Sequence, residues 1–317
     1  MQSIAIQRLA STSLRTGNCN VGRGIAALLV LLLGLPTVAT SLHGQGANLN
    51  SIPRDLHIPS ISLEPAQAGK RVKITTRSWP EESVYHTLHL PTNWRANVKF
   101  PILVEFAGNG NYRNGLGDSS SGRVEDCVIG YGLSEGKDYI WLTLPFIEQS
   151  SASTPQNCLQ WWGDVALTKR YAVQTLDEVC LKYGGDANRV VLCGFSRGSI
   201  ACNYIGLHDD EIANRWSAFF CHSHYDGVRS WPYPDSTGEA AITRLKRLNG
   251  RPQWISHEES ITDIERYLKA TNIAGQWTFQ PIPYPNHSAE WLLCDLPERA
   301  AARKWLRRVL DNSSTRP

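Results

Sequence analysis

An α/β architecture, with a mostly parallel central sheet, helices on both faces and a single domain, is what this sequence predicts, and three observations carry it. From about residue 70 onward, short apolar runs of strand length alternate with longer stretches of helical spacing. Several of the short runs, residues 101–107 and 139–145 among them, are almost continuously apolar, as parallel strands covered on both faces are. Finally, Arg189-Val190-Val191-Leu192-Cys193 runs through Gly194-Phe195-Ser196-Arg197-Gly198 into a helix-like stretch over 199–208, which reads as strand, sharp turn and helix.

The chain has 317 residues, 42% of them hydrophobic, with a formal net charge of +3. Residues 1–40 read as a secretory signal: Arg8, Arg15 and Arg23 precede an apolar stretch over 25–35, followed by Pro36 and small residues that offer a cleavage point near Ala39. That apolar stretch is shorter than the ~20 residues a spanning helix needs, so cleavage and export to the periplasm or beyond are expected, with no stable membrane span afterwards. Residues 41–69 read as an extended lead-in and 70–312 as one catalytic-sized domain. The charges are interspersed without a basic stripe, which gives no reason to expect a nucleic-acid partner.

Taken in order, residues 71–75 and 84–90 alternate as half-buried strands do, and they predict an antiparallel opening pair at a sheet edge. The two apolar runs over 101–107 and 139–145 follow. Leu167, Tyr171, Val173, Leu176, Val179 and Leu181 recur near helical spacing and predict a helix over 166–183 leading into the serine strand. Residues 216–221, 253–256 and 278–282 read as further strands, and a last amphipathic helix runs from about 297 to 310 with Ala301, Trp305 and Leu310 on one side. In a sheet of this kind functional groups gather at the carboxyl ends of the strands. Ser196, the Gly108-Asn109-Gly110-Asn111 turn, and the polar segments after Cys221, Ser256 and Pro283 all fall there.

Ser196 sits where a G-x-S-x-G serine becomes a nucleophile, with glycines on both flanks of a turn too tight for side chains. A serine hydroxyl needs a histidine to take its proton and a third group to hold that histidine. His287, in a turn-rich loop after the last strand, is the predicted base; His222, His224 and His257 read as structural or substrate-contacting. For the acid, Glu259 is chosen over Glu258 in the loop after residue 256, with Asp263 and Asp226 as further candidates. Asp263 is demoted because Thr262 and Glu265 fit a capping box that places it in a first helical turn, where a carboxylate is already explained. The backbone N–H groups of Arg197 and Asn109 are the predicted oxyanion donors.

Residues 88–94, 100–110 and 183–198, with the serine turn at their end, resemble secreted esterases of the α/β-hydrolase superfamily, of the polyhydroxybutyrate depolymerase and the feruloyl or acetylxylan esterase type. The resemblance implies a serine hydrolase with Ser196 as nucleophile, His287 as base, Asn109 and Arg197 as oxyanion donors, and an ester as substrate. The chain departs from those families in having Ala107-Gly108 where they carry His-Gly, and His257-Glu258-Glu259-Ser260 where they carry Gly-x-x-Asp. A serine peptidase on the same fold and an inactive binding scaffold are the rival expectations.

Acyl transfer of this kind needs no metal or organic cofactor, and the eight cysteines form no C-x-x-C pattern. Cys127 and Cys158 lie in polar segments where an oxidising compartment would allow a disulfide, and Cys180 with Cys202 is a second conceivable pair; Cys193 and Cys221 read as small buried hydrophobes. Of the eleven tryptophans, Trp161, Trp162, Trp231 and Trp291 fall near loops, where an aromatic face suits a sugar ring, an aromatic acyl group or a polyester surface. Arg229 or Arg197 could meet an anionic group.

Overall fold

The computed structural model describes residues 47–150, 153–258 and 260–313, so the signal segment read over 1–40 lies outside the described residues. All of the described residues belong to one compact unit. Among them no helix is long and apolar enough to cross a membrane.

Nine strands form the central sheet: β1 (Ile61–Ser62), β2 (Arg71–Ile74), β3 (His86–His89), β4 (Phe100–Phe106), β5 (Ile140–Leu144), β6 (Gly185–Phe195), β7 (Ala218–His222), β8 (Pro252–His257) and β9 (Gln276–Pro281). Their order in space is β1-β2-β3-β5-β4-β6-β7-β8-β9. β3 runs antiparallel to both β2 and β5, and every other pairing is parallel. The antiparallel opening pair expected from sequence is β2 with β3. The crossover of β4 and β5 is not legible in any local pattern.

Period-two alternation puts the two cores on opposite faces of the sheet. Ile102, Val104 and Phe106 of β4, Val190 and Leu192 of β6, and Phe219 and Cys221 of β7 pack with Leu176 and Val179 of the helix Val165–Tyr183 and Ile200 of the helix Arg197–Tyr204. Their neighbours Leu103, Val191, Cys193 and Phe220 face the other way, against Trp141, Trp254, Trp291 and the Trp305 and Leu306 of the final helix, Pro297–Ser313. Each of these fully buried side chains contributes roughly 1.5–3 kcal/mol relative to exposure. This two-sided burial is why the strands read as continuous apolar runs.

One polar residue breaks the run. Glu105 of β4 is buried on the second face, where its carboxylate accepts the N–H groups of Val128, Ile129 and Gly130 and the Trp141 indole. Burial pushes this carboxyl up against the pull of those four hydrogen bonds.

Several expectations need correction. Residues 48–51 are not merely extended: Leu49 is buried and its N–H donates to Asn286 Oδ1 at 2.7 Å, which docks the lead-in beside the predicted catalytic loop. The capping box at Thr262 does not form; the helix Thr262–Thr271 starts at that residue, its N-cap is Ile261, and the Thr262 N–H donates to Ser260 Oγ. Every described cysteine is free, so neither Cys127 with Cys158 nor Cys180 with Cys202 is bonded. Trp162 and Trp291 are core residues; of the four loop tryptophans only Trp161 is exposed.

Candidate active site

The turn after β6 forces Ser196 to φ 54 and ψ −114, a conformation that L-residues rarely hold. It is maintained by close approach on both sides. A Cβ on Gly194 would lie 2.0 Å from the Gly198 carbonyl oxygen, and a Cβ on Gly198 would lie 2.0 Å from that of Phe106. Only glycine lets the entering strand, the departing helix and β4 come this near. The Ser196 N–H donates to the His222 carbonyl at the end of β7, which fixes the turn at the carboxyl edge of the sheet.

Ser196 Oγ lies 2.9 Å from His287 Nε2, and His287 Nδ1 lies 2.5 Å from Glu258 Oε1. Serine, imidazole and carboxylate are therefore in line, brought from strand ends separated by 91 and 29 residues. Ser223 adds a hydroxyl that donates to Glu258 Oε1 at 3.0 Å and sits the same distance from His287 Nδ1. Burial opposes ionisation of Glu258, yet the hydrogen bond to His287 and the imidazoles of His222 and His257 outweigh it and hold the carboxyl well below the usual range. At neutral pH it is a carboxylate, as an orienting acid must be.

Glu259, the acid chosen from sequence, lies outside the described residues, and the carboxylate on His287 is that of Glu258. The reason is one of position: β8 ends at His257, and Glu258 is the first residue past it, next to Ser223. Side chains alternate across an extended segment, so of two adjacent carboxylates only one can face a given neighbour, and composition does not say which. Asp226 and Asp263 are both engaged away from the imidazole. Asp226 is buried in a bidentate pair with Arg244, at 2.9 and 3.0 Å, and Asp263 pairs with Arg266 on the surface.

Asp118 is a contributor that sequence reasoning missed. Its buried carboxylate accepts the Asn286 side-chain amide at 2.7 Å and the backbone N–H of His287 at 2.9 Å. It comes from a loop rich in Gly, Asn and Ser, with no local pattern to distinguish it from an ordinary turn aspartate.

The ring of His287 is boxed by Phe195 and Tyr112, each 4.8 Å away between centroids, and by His224 at 5.1 Å. His222 is sealed in the core, with Nδ1 3.0 Å from Ser256 Oγ and Nε2 3.1 Å from the Trp291 indole nitrogen, and burial lowers it to about 4. His224 is lowered to about 4, first by burial and then by the nearby His287. His257 Nδ1 is 3.8 Å from Glu258 Oε2.

On the oxyanion side, the Asn109 side-chain oxygen accepts the Trp161 N–H at 2.7 Å, and the Gly110 N–H donates to the Leu159 carbonyl at 2.8 Å. The loop after β4 is thereby pinned to the segment carrying Trp161. The backbone N–H groups of Asn109 and Arg197 have no backbone partner among the described residues. A cavity of about 450 Å³ opens beside the imidazole, lined by His287, Glu258, His224, Tyr112, Trp231 and Arg229. A larger one of about 780 Å³ reaches Gly108, Phe195 and Ser288, but neither Ser196, His287 nor Glu258 lines it. Among the described residues no group of His, Cys, Asp or Glu side chains is placed to hold a metal ion.

The chain matches no protein-family model and no curated protein by sequence. Solved structures do resemble it. An esterase from the fungus Rhizomucor miehei is 11% identical, with a TM-score of 0.52 over 82% of this chain and 86% of its own. Esterase B of Lactobacillus rhamnosis is 13% identical, with a TM-score of 0.50 over 79% of this chain and 90% of its own. A thermostable esterase is 15% identical, with a TM-score of 0.48, over 75% of this chain and 62% of its own. In strand order, in the strained serine between strand and helix, and in the first two of these likenesses, the chain has the α/β-hydrolase fold.

Proposed function

We propose that this protein is a serine hydrolase that cleaves carboxylic esters through an acyl-enzyme. The observation that carries the reading is the line of hydrogen bonds from Ser196 Oγ through His287 to Glu258, at 2.9 and 2.5 Å, behind a nucleophile at positive φ. Ser196 Oγ attacks the ester carbonyl while its proton passes to His287 Nε2. The resulting oxyanion is met by the N–H groups of Arg197 and Asn109. Collapse of the tetrahedral intermediate breaks the bond to the alcohol, which leaves with the proton from Nε2. Water then adds to the acyl-enzyme by the same route in reverse order and frees the acid. General base catalysis contributes about 10²–10⁴-fold, and each oxyanion donor about 10²–10³-fold.

The substrate in this reading is a polysaccharide ester or a related polyester. The exposed Trp161 ring, 5.9 Å from Trp231 beside the 450 Å³ cavity, supports a ring-bearing or polymeric substrate. We place the enzyme outside the inner membrane, on the charge and hydropathy pattern of residues 1–40.

The test is hydrolysis of a short-chain nitrophenyl ester by the protein beside its Ser196→Ala variant, with fluorophosphonate labelling in parallel. Wild-type turnover and labelling, both absent from the variant, are expected. A folded wild type that neither labels nor turns over ends the hydrolase reading in favour of an inactive scaffold, and turnover of matched amides faster than esters replaces esterase with peptidase.

A further inference from the structure

Arg197 follows the nucleophile and its side chain is 1% exposed. Nη1 donates to the Trp161 carbonyl at 2.6 Å and the guanidinium carbon sits 4.1 Å from the centre of the Phe146 ring, while Nε and Nη2 have no hydrogen-bond partner among the described residues. The groups that favour its charge are the thiols of Cys158 and Cys127, not a carboxylate, and burial pushes both thiols up so that neither is ionised at neutral pH. The same burial lowers the guanidinium to about 9, which still leaves it cationic. A buried charge without a counter-charge is strongly unfavourable unless something else uses it.

A second observation comes from Trp161. It holds φ 53, an outlier for a bulky side chain, and it is gripped at both ends: its N–H by Asn109 Oδ1 and its carbonyl by Arg197. Strained backbone of this kind persists only where the surroundings over-determine it. The residue after the nucleophile and the residue proposed as second oxyanion donor are thus connected through a single residue.

We propose that the Arg197 side chain is a positioning residue of the oxyanion site, holding the Asn109 loop in register with the serine turn through Trp161. The inference rests on the acyl-transfer reading above. It places a function on the side chain of a residue whose backbone alone that reading uses. Donors held in place before the reaction cost no reorganisation when the oxyanion forms, so the effect belongs to the transition state and should appear in kcat, not KM.

The experiment compares R197M, R197K, N109A and R197M/N109A with the wild type in steady-state hydrolysis of a nitrophenyl ester, fluorophosphonate labelling rate and thermal melting. R197M should lose about 100-fold in kcat with KM within about threefold, while Tm stays level or rises because an apolar side chain replaces a buried unpaired charge. R197K, which keeps a donor for the Trp161 carbonyl, should recover about tenfold of that loss, and the double variant should fall short of the product of the single effects because both act through Trp161. Wild-type kcat in folded R197M, a kcat loss that only follows a falling Tm, or strictly multiplicative single effects would each overturn the proposal. Should R197M fail to fold, R197K and N109A decide it on the same readouts. Failure of the wild type to label overturns the hydrolase reading and this one with it, whereas equal labelling of wild type and R197M overturns this one alone.

Discussion

Asp118 and His287, 169 residues apart, are joined by a hydrogen bond in which the backbone N–H of the histidine donates to the buried carboxylate at 2.9 Å, while the other oxygen of that carboxylate takes the Asn286 amide. The histidine is therefore held by its backbone as well as by Glu258. Asn286 in turn accepts the Leu49 N–H, so the docked lead-in, the glycine-rich loop and the histidine loop form one polar knot.

From this follows a prediction for Asp118→Ala. A displacement of about 1 Å in a reacting group can cost on the order of 100-fold, so kcat should drop by about 10- to 100-fold with KM nearly unchanged. Steady-state kinetics on an ester substrate checks it; kcat within twofold of wild type would show that the histidine is held without Asp118.

Glu258→Gln should leave the site geometry intact but remove the charge that fixes the His287 tautomer, and turnover should fall by about 10³–10⁴-fold. Glu259→Gln, measured alongside, should stay within a few-fold of wild type. Reversed results would transfer the acid role to Glu259.

Asp226→Asn is expected to act on stability and not on chemistry. Its pairing with Arg244 is almost wholly buried, with side chains 1% and 7% exposed, and removing one partner of such a pair strands the other charge at about 3–5 kcal/mol. Urea unfolding should show a loss of that order, while kcat per folded molecule is retained. A catalytic collapse without a stability change would instead put Asp226 in the mechanism.

Stability should decline as pH falls from about 6.5 toward 4. Burial lowers His86 to about 3 and His89, His222 and His224 to about 4. In that window the unfolded chain binds protons that the native state refuses, so protonation favours unfolding; above about 6.5 both states are neutral there and the contribution is flat. Loss of the Glu258 carboxylate adds in the same direction at still lower pH, as it is protonated more readily in the unfolded chain. Thermal melts between pH 8 and 4.5 test this, and a Tm that holds or rises on acidification would contradict it.

Most of the strands, the helix Val165–Tyr183, the serine turn and the histidine that meets the serine could be read along the chain, whereas β1 lies in what read as an extended lead-in. These are local matters: apolar alternation, near-continuous apolar runs and paired glycines follow from what each residue and its near neighbours can bury or which dihedrals they can hold. Ser196 was legible from its glycine turn and His287 from its place in the loop after the last strand. Which carboxylate meets the imidazole was decided only in three dimensions, because Glu258 and Glu259 are chemically equivalent and only the end of β8 beside Ser223 sets which one faces it. The same holds for the pairing of Asp226 with Arg244, the grip of Asp118 on the histidine loop, and the Arg197 guanidinium that grips the Trp161 carbonyl. Each of these depends on contacts between residues well separated along the chain, a long-range outcome that neighbouring residues do not encode.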